Sequence, residues 1–164
     1  MDGVRTRVVE EREWEKDGDE LILDEVSRNF FAICQQTNSV FYFGEDEVDG
    51  EGIPQPGSWR AGENGAKPGL IMSGTILLGS RYYQEIVPED EALDKGQVVR
   101  MQDECRVGGH DFEDCIRIID TSDCEPGERD PKVYAKGVGI VKDEDLQVVS
   151  FGFVDLDDEK DEDN

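Results

Sequence analysis

The chain has 164 residues, 41 acidic against 17 basic, and a net charge of −24 at neutral pH. That length suits one domain with its own core, and that charge repels nucleic acid and anionic lipid, so neither is an expected partner. No apolar run reaches the roughly eighteen residues of a membrane span, and no basic start followed by an apolar run marks a signal peptide.

In chain order, Val4, Thr6, Val8 and Trp14 share one parity among arginines and glutamates, which predicts a strand over 4–14. Asp17-Gly18 predicts a hairpin turn. ELILDEVSRNFFAIC (20–34) returns as a long strand, and VFYFGE (40–45) follows as a third after the turn Thr37-Asn38-Ser39. Connections this short force an antiparallel meander. Residues 45–57 form a polar loop. Its Glu45, Glu47, Asp49 and Gly50 resemble the opening of a calcium loop, but Pro56 stands where the closing glutamate belongs, so a turn at Asp49-Gly50 is expected.

In residues 58–79, Gly62, Gly65, Pro68, Gly69, Gly74 and Gly79 argue against a continuous helix or strand. Leu70-Ile71-Met72 and Ile76-Leu77-Leu78 are too apolar for a free loop. The expectation is a Gly-rich loop that plugs one end of the sheet. SRYYQEIVPE (80–89) reads as a fourth strand, with Tyr83 and Glu85 on one face. EDEALDK (89–95) fits a helical turn. QVVRMQDECRV (97–107) and DFEDCIRIID (111–120) flank a Gly108-Gly109 turn as the fifth and sixth strands. KVYAKGVGIVKD (132–143), whose Gly137 and Gly139 suggest a bulge or close packing, and LQVVSFGFV (146–154) complete the series. Seven acids in DLDDEKDEDN (155–164) predict a disordered tail. The fold expected is all-β: a single domain over 1–154, with about eight antiparallel strands in a strongly curved sheet or open barrel.

Cys34, Cys105, Cys115 and Cys124 form no CxxC pair and no zinc spacing with His110. Cys34 and Cys115 are expected as buried thiols, with Cys105–Cys124 the pairing open to a bridge. His110 lies in a turn, away from Ser58, Ser73 and Ser80, so no serine triad forms. A Cys115–His110 pair requires both at one surface. The carboxylates of interest are Glu63, Glu85 and Asp94, with Arg60 expected to pair with Glu85 or Asp94. A binding mouth would draw on Trp59, Arg60, Glu63, Asn64, Tyr83 and Glu85, with Phe43 and Tyr82 beside them. No cofactor is implied. Calcium enters only through loose acidic ligands at Asp143–Asp145 and in the tail, which form no defined cage.

Several phrases read together. SWRAGENGAKPGLIMSGT, GSRYYQEIVPE, DFEDCIRI and EPGERDPKVYAKGVGIVKDEDLQVVSFG resemble a widespread family of functionally uncharacterised bacterial and archaeal all-β proteins, often secreted or of the envelope. The opening GVRTRVVEEREWEKDGDELILDEVSRNFFAI matches that family's strand–turn–strand start. YAKGVGIV also resembles the closing strands of lipoprotein-carrier-like curved sheets. The resemblance implies a location outside the cytoplasm, with a cytoplasmic one as the alternative, and it implies no activity. Members usually carry a signal peptide and further strands before this start, so an open sheet edge and strand-mediated homodimerisation are expected. RVGGHDFEDC and Ala135-Lys136-Gly137 depart from the family's usual phrasing and imply local turn changes. The function expected is a non-catalytic binding or structural domain for a small molecule or protein. A carboxylate hydrolase acting through residues 58–94 and a cation-binding acidic surface protein, halophilic in style, are the alternatives.

Overall fold

The computed structural model describes residues 1–88 and 92–153. The chain is all-β and antiparallel, with no helix among the described residues. The first sheet contains β1 (Arg7–Asp17), β2 (Glu20–Ile33), β3 (Val40–Asp49), β5 (Lys67–Met72) and β7 (Glu85–Ile86) in that order, with β4 (Trp59–Arg60) also paired to β3. The second runs β12 (Leu146–Gln147), β11 (Gly139–Asp143), β10 (Asp130–Ala135), β9 (His110–Ser122), β8 (Asp94–Val107) and β6 (Arg81–Tyr83). Sequence neighbours are mostly sheet neighbours, as short connections demand. The strands make two sheets, and the segments expected as single strands at 80–89 and 132–143 each divide.

Both long hairpins turn where the glycines stand. Asp17 pairs with Glu20 across a two-residue loop in which Gly18 has φ +62°. Val107 pairs with His110 across Gly108 and Gly109, at φ +58° and +85°. A positive φ at the first residue of a two-residue loop, as at Gly18, or at both, as at Gly108 and Gly109, matches the twist of the flanking strands, and glycine reaches it without a Cβ clash.

The Gly-rich stretch is a loop only in part. Lys67–Met72 is strand β5 between β3 and β7, so Leu70, Ile71 and Met72 belong to the sheet. Leu77 and Leu78 are exposed and seal nothing. Gly69 allows this strand to pass Gln84, whose carbonyl oxygen occupies the place a Cβ would take. A plug over one end is therefore replaced by a strand inside the sheet. Gly137 lies in the turn between β10 and β11, Gly139 opens β11 opposite Ala135, and the irregularity in this pairing falls further on, at Val141. Of the described residues 146–153, only Leu146–Gln147 is a strand, continued by a bond from the Val148 amide to the Val141 carbonyl. The expected helical turn at 89–95 gives way at its described end to a Val87–Ala92 bridge and the start of β8. The expected tail at 155–164 lies outside the described residues.

The core has two parts. Tyr42, Phe43, Trp59, Ala61, Ala66 and Val87 form one in the first sheet. Val107, Phe112, Cys115, Val133, Ala135 and Val141 form the other in the second. A disulfide joins Cys105 of β8 to Cys115 of β9, with Cα atoms 6.0 Å apart. This corrects both cysteine expectations, since Cys115 is bridged and Cys105 pairs with it and not with Cys124. The bridge also removes Cys115 as a nucleophile for His110, whose Nε2 lies 3.1 Å from the Val149 carbonyl oxygen.

Candidate functional site

The first candidate region grows from a bulge in β3. Phe31 pairs with Tyr42 and Asn29 with Glu45, so Phe43 and Gly44 together oppose one residue of β2. Gly44 takes φ +129° there, against the Trp59 backbone. The extra residue brings Tyr42 and Glu45 to one face, which simple alternation forbids.

On that face the Tyr42 hydroxyl donates to Asn29 Oδ1 at 2.7 Å. Asn29 Nδ2 in turn donates to Glu11 Oε2 at 2.9 Å and to Ser27 Oγ at 3.3 Å. Tyr42 stacks on Phe31 at 5.1 Å and meets the edge of Trp59 at 5.3 Å. Burial, with the acidic groups around it, pushes the Tyr42 phenol far up, so it stays a neutral donor.

Carboxyls gather beside this aromatic group. Burial pushes Glu85 up to about 8, reinforced by the Asp94 charge and by Glu45. Burial likewise raises Glu45, opposed by the hydroxyl of Tyr42. The Trp59 indole faces both Glu45 and Glu85, yet its buried Nε1 completes a hydrogen bond with neither. At neutral pH Glu85 is a protonated acid held against a neighbouring carboxyl, the state that low dielectric and like charge impose. Such an acid can donate a proton to a bound group.

The residues singled out in the sequence are only partly brought together. Trp59, Arg60, Glu63 and Asn64 do line one hollow of about 260 Å³, with Ser58 and Asp46. Arg60, however, clasps Asp46 through Nε at 3.0 Å and Nη2 at 2.6 Å, and reaches neither Glu85 nor Asp94. Tyr83 and Glu85 do not share a face, because the chain leaves β6 and enters β7 at Gln84, changing sheets. Tyr83 instead donates to Asp123 Oδ2 at 3.1 Å, with Lys95 over its ring at 4.8 Å.

Gln84 ties the two sheets. Its amide donates to the Asp94 carbonyl at 2.8 Å and its Nε2 to Asp120 Oδ1 at 3.2 Å. Asp120 also holds Lys132 at 3.3 Å, and Lys132 reaches Asp143 at 3.4 Å. The lysine charge offsets part of the rise that burial gives Asp120.

The larger cavity was not foreseen. A cleft of about 960 Å³ opens between the sheets. Ile33, Val40, Met72 and Ile76 line one wall, and Met101, Ile116, Tyr134 and Val138 the other. Ile33 and Met101 are 62% and 51% exposed, so large apolar groups stand open to water at its mouth. Lys136, held to Asp114 at 2.6 Å, sits on the rim. Its lining comes from β2, β3, β5, β8, β9 and β10, so no local sequence pattern announces it.

Among the described residues no group of three histidine, cysteine, aspartate or glutamate side chains is placed to hold a metal ion. At the calcium-like loop, Asp49 Oδ1 accepts the amides of Glu51 and Ile53 at 3.0 and 2.8 Å, which makes the segment a turn. No helix of the described residues is long and apolar enough to cross a membrane. No family model, curated protein or solved structure matches this chain.

Proposed function

We propose that this chain is a non-catalytic binding domain whose ligand site is the cleft between the sheets. The observation that carries the reading is the cleft itself, about 960 Å³ with exposed aliphatic side chains on both walls. Sites for small organic molecules are concave, mostly apolar and of this size. A net charge of −24 disfavours anionic ligands, so the ligand is a neutral or cationic apolar molecule. In this reading the sheets are the walls of an open barrel, and the hollow at Trp59, Arg60, Glu63 and Asn64 is a lesser site. The Cys105–Cys115 disulfide supports a place outside the cytoplasm, where such bridges persist. The resemblance of WRAGENGAKPG and YAKGVGIV to envelope and secreted proteins points the same way.

The test is a fluorescence titration with the neutral probe N-phenyl-1-naphthylamine. Saturable one-to-one binding is expected, weakened about tenfold or more by Ile76→Asp or Met101→Asp, with far-UV circular dichroism unchanged. Absence of saturable binding, or binding by both variants as tight as that of the unaltered chain, sinks the reading.

A second reading is favoured by one observation, the buried and unpartnered Trp59 indole N–H, beside which Glu85 is raised by burial and by the Asp94 charge. Acid–base hydrolysis would use Glu85 as the proton donor and Asp94 as its partner. Chromogenic glycosides and esters provide the assay. Turnover abolished in Glu85→Gln supports this reading, and turnover that survives the substitution removes it.

A further inference from the structure

Strand β1 is the longest free sheet edge among the described residues. It spans 11 residues, pairs only with β2, and is exposed along its whole length. The other sheet ends are β7, β6 and β12, of two, three and two residues. Long open edges are templates for another strand, and proteins usually blunt them with proline, a bulge or brevity. Here β1 contains no proline, and the irregularity in its pairing with β2 falls on Asp24 of β2, which leaves β1 regular. Val8, Val9 and Trp14 stand 55%, 45% and 52% exposed on it.

We infer that β1 pairs antiparallel with β1 of a second copy, about a two-fold axis at Glu11. The argument is complementarity in that register. Arg7 then faces Glu15 of the other copy, Val8 faces Trp14, and Glu10 faces Arg12, each twice by symmetry. Opposite charges and aromatic–aliphatic pairs directly across antiparallel strands stabilise them. Moving the axis by one residue either way breaks this. An axis at Glu10 sets Glu10 against itself, Val8 against Arg12 and Val9 against Glu11, and an axis at Arg12 sets Glu11 against Glu13 and Arg12 against itself. The unfavourable pair in the chosen register is Glu11 with Glu11, and each of those carboxylates already accepts the Asn29 amide at 2.9 Å. Arg7 and Glu15 have no ion pair among the described residues, so the partner supplies a counter-charge to each. Closed two-fold pairing also removes the free edge.

Sedimentation velocity on the full chain tests this at about 0.15 M salt, where charges more than about 8 Å apart are screened but close pairs are not. A species of twice the 18.4 kDa monomer mass is expected, growing with concentration. Arg7→Glu should weaken association about tenfold or more, and Arg7→Glu with Glu15→Arg should restore it. Glu11→Cys, in a chain also carrying Cys34→Ser and Cys124→Ser, should form an intermolecular disulfide under mild oxidation, since only the residue on the axis meets itself. Val9→Cys in the same chain should not, because its partner position is Glu13. A chain that remains monomeric at every concentration overturns the inference. So does association indifferent to Arg7→Glu, or Val9→Cys crosslinking as readily as Glu11→Cys.

Discussion

The two long hairpins are built alike and end differently. β1–β2 and β8–β9 each turn on a two-residue glycine-bearing loop. β8–β9 contributes Val98, Val107, Phe112, Cys115 and Ile118 to the buried residues and is cross-linked between Cys105 and Cys115. β1 buries nothing, and β2 becomes buried only at Ser27 and Asn29, past its midpoint. Backbone pairing therefore does not decide burial. A strand is buried where a second layer covers one of its faces, and β1, with the turn half of β2, projects without such cover.

The largest effect that can sharpen this contrast lies in β9. Ile118→Ala removes a fully buried side chain and should lower stability by about 2–5 kcal/mol, read as an earlier urea midpoint. Replacing Cys105 and Cys115 together by serine should remove about 2–4 kcal/mol by freeing the unfolded chain. Tyr42→Phe comes next. It leaves the buried Asn29 carbonyl oxygen without its donor, and a loss of about 1–3 kcal/mol is expected.

The pH dependence has a fixed sign. Glu85 titrates near 4.5 in the unfolded chain and is pushed up to about 8 when folded. Between those values the folded state holds a proton that the unfolded state has released. The stability is fully present below the lower value and is lost as pH rises through the upper one. Melting temperature should therefore fall between about pH 5 and pH 8, and Glu85→Gln should flatten that slope. A slope unchanged in the variant removes Glu85 as its source. The smallest effect belongs to the projecting hairpin, where Leu21→Ala should change stability by less than about 0.5 kcal/mol. A loss at Leu21 as large as that at Ile118 would break the comparison itself.

What the sequence disclosed follows the range of each interaction. The all-β class, the antiparallel order and both hairpin turns were legible, because alternation and Asp17-Gly18 or Gly108-Gly109 are local signals. The Phe43-Gly44 bulge was not, since Gly44 reveals its conformation only against Trp59. Tyr83 and Glu85 were misplaced because a change of sheet at one residue leaves no mark in a run that alternates smoothly. Arg60 had many acidic neighbours to choose from, and the β3–β4 pairing decided for Asp46. The disulfide eluded spacing because its cysteines do not stand opposite each other; Cys105 faces Phe112 and Cys115 faces Gln102.

The passage of the chain through Gln84 has a mechanical consequence. The sheets are joined there by a single residue, with its amide fixed to Asp94, its side chain to Asp120 and its carbonyl wedged against Gly69. Such a joint admits little rotation, so the two sheets are pinned to each other at Gln84, and a substitution that removed its bond to Asp120 would loosen both at once.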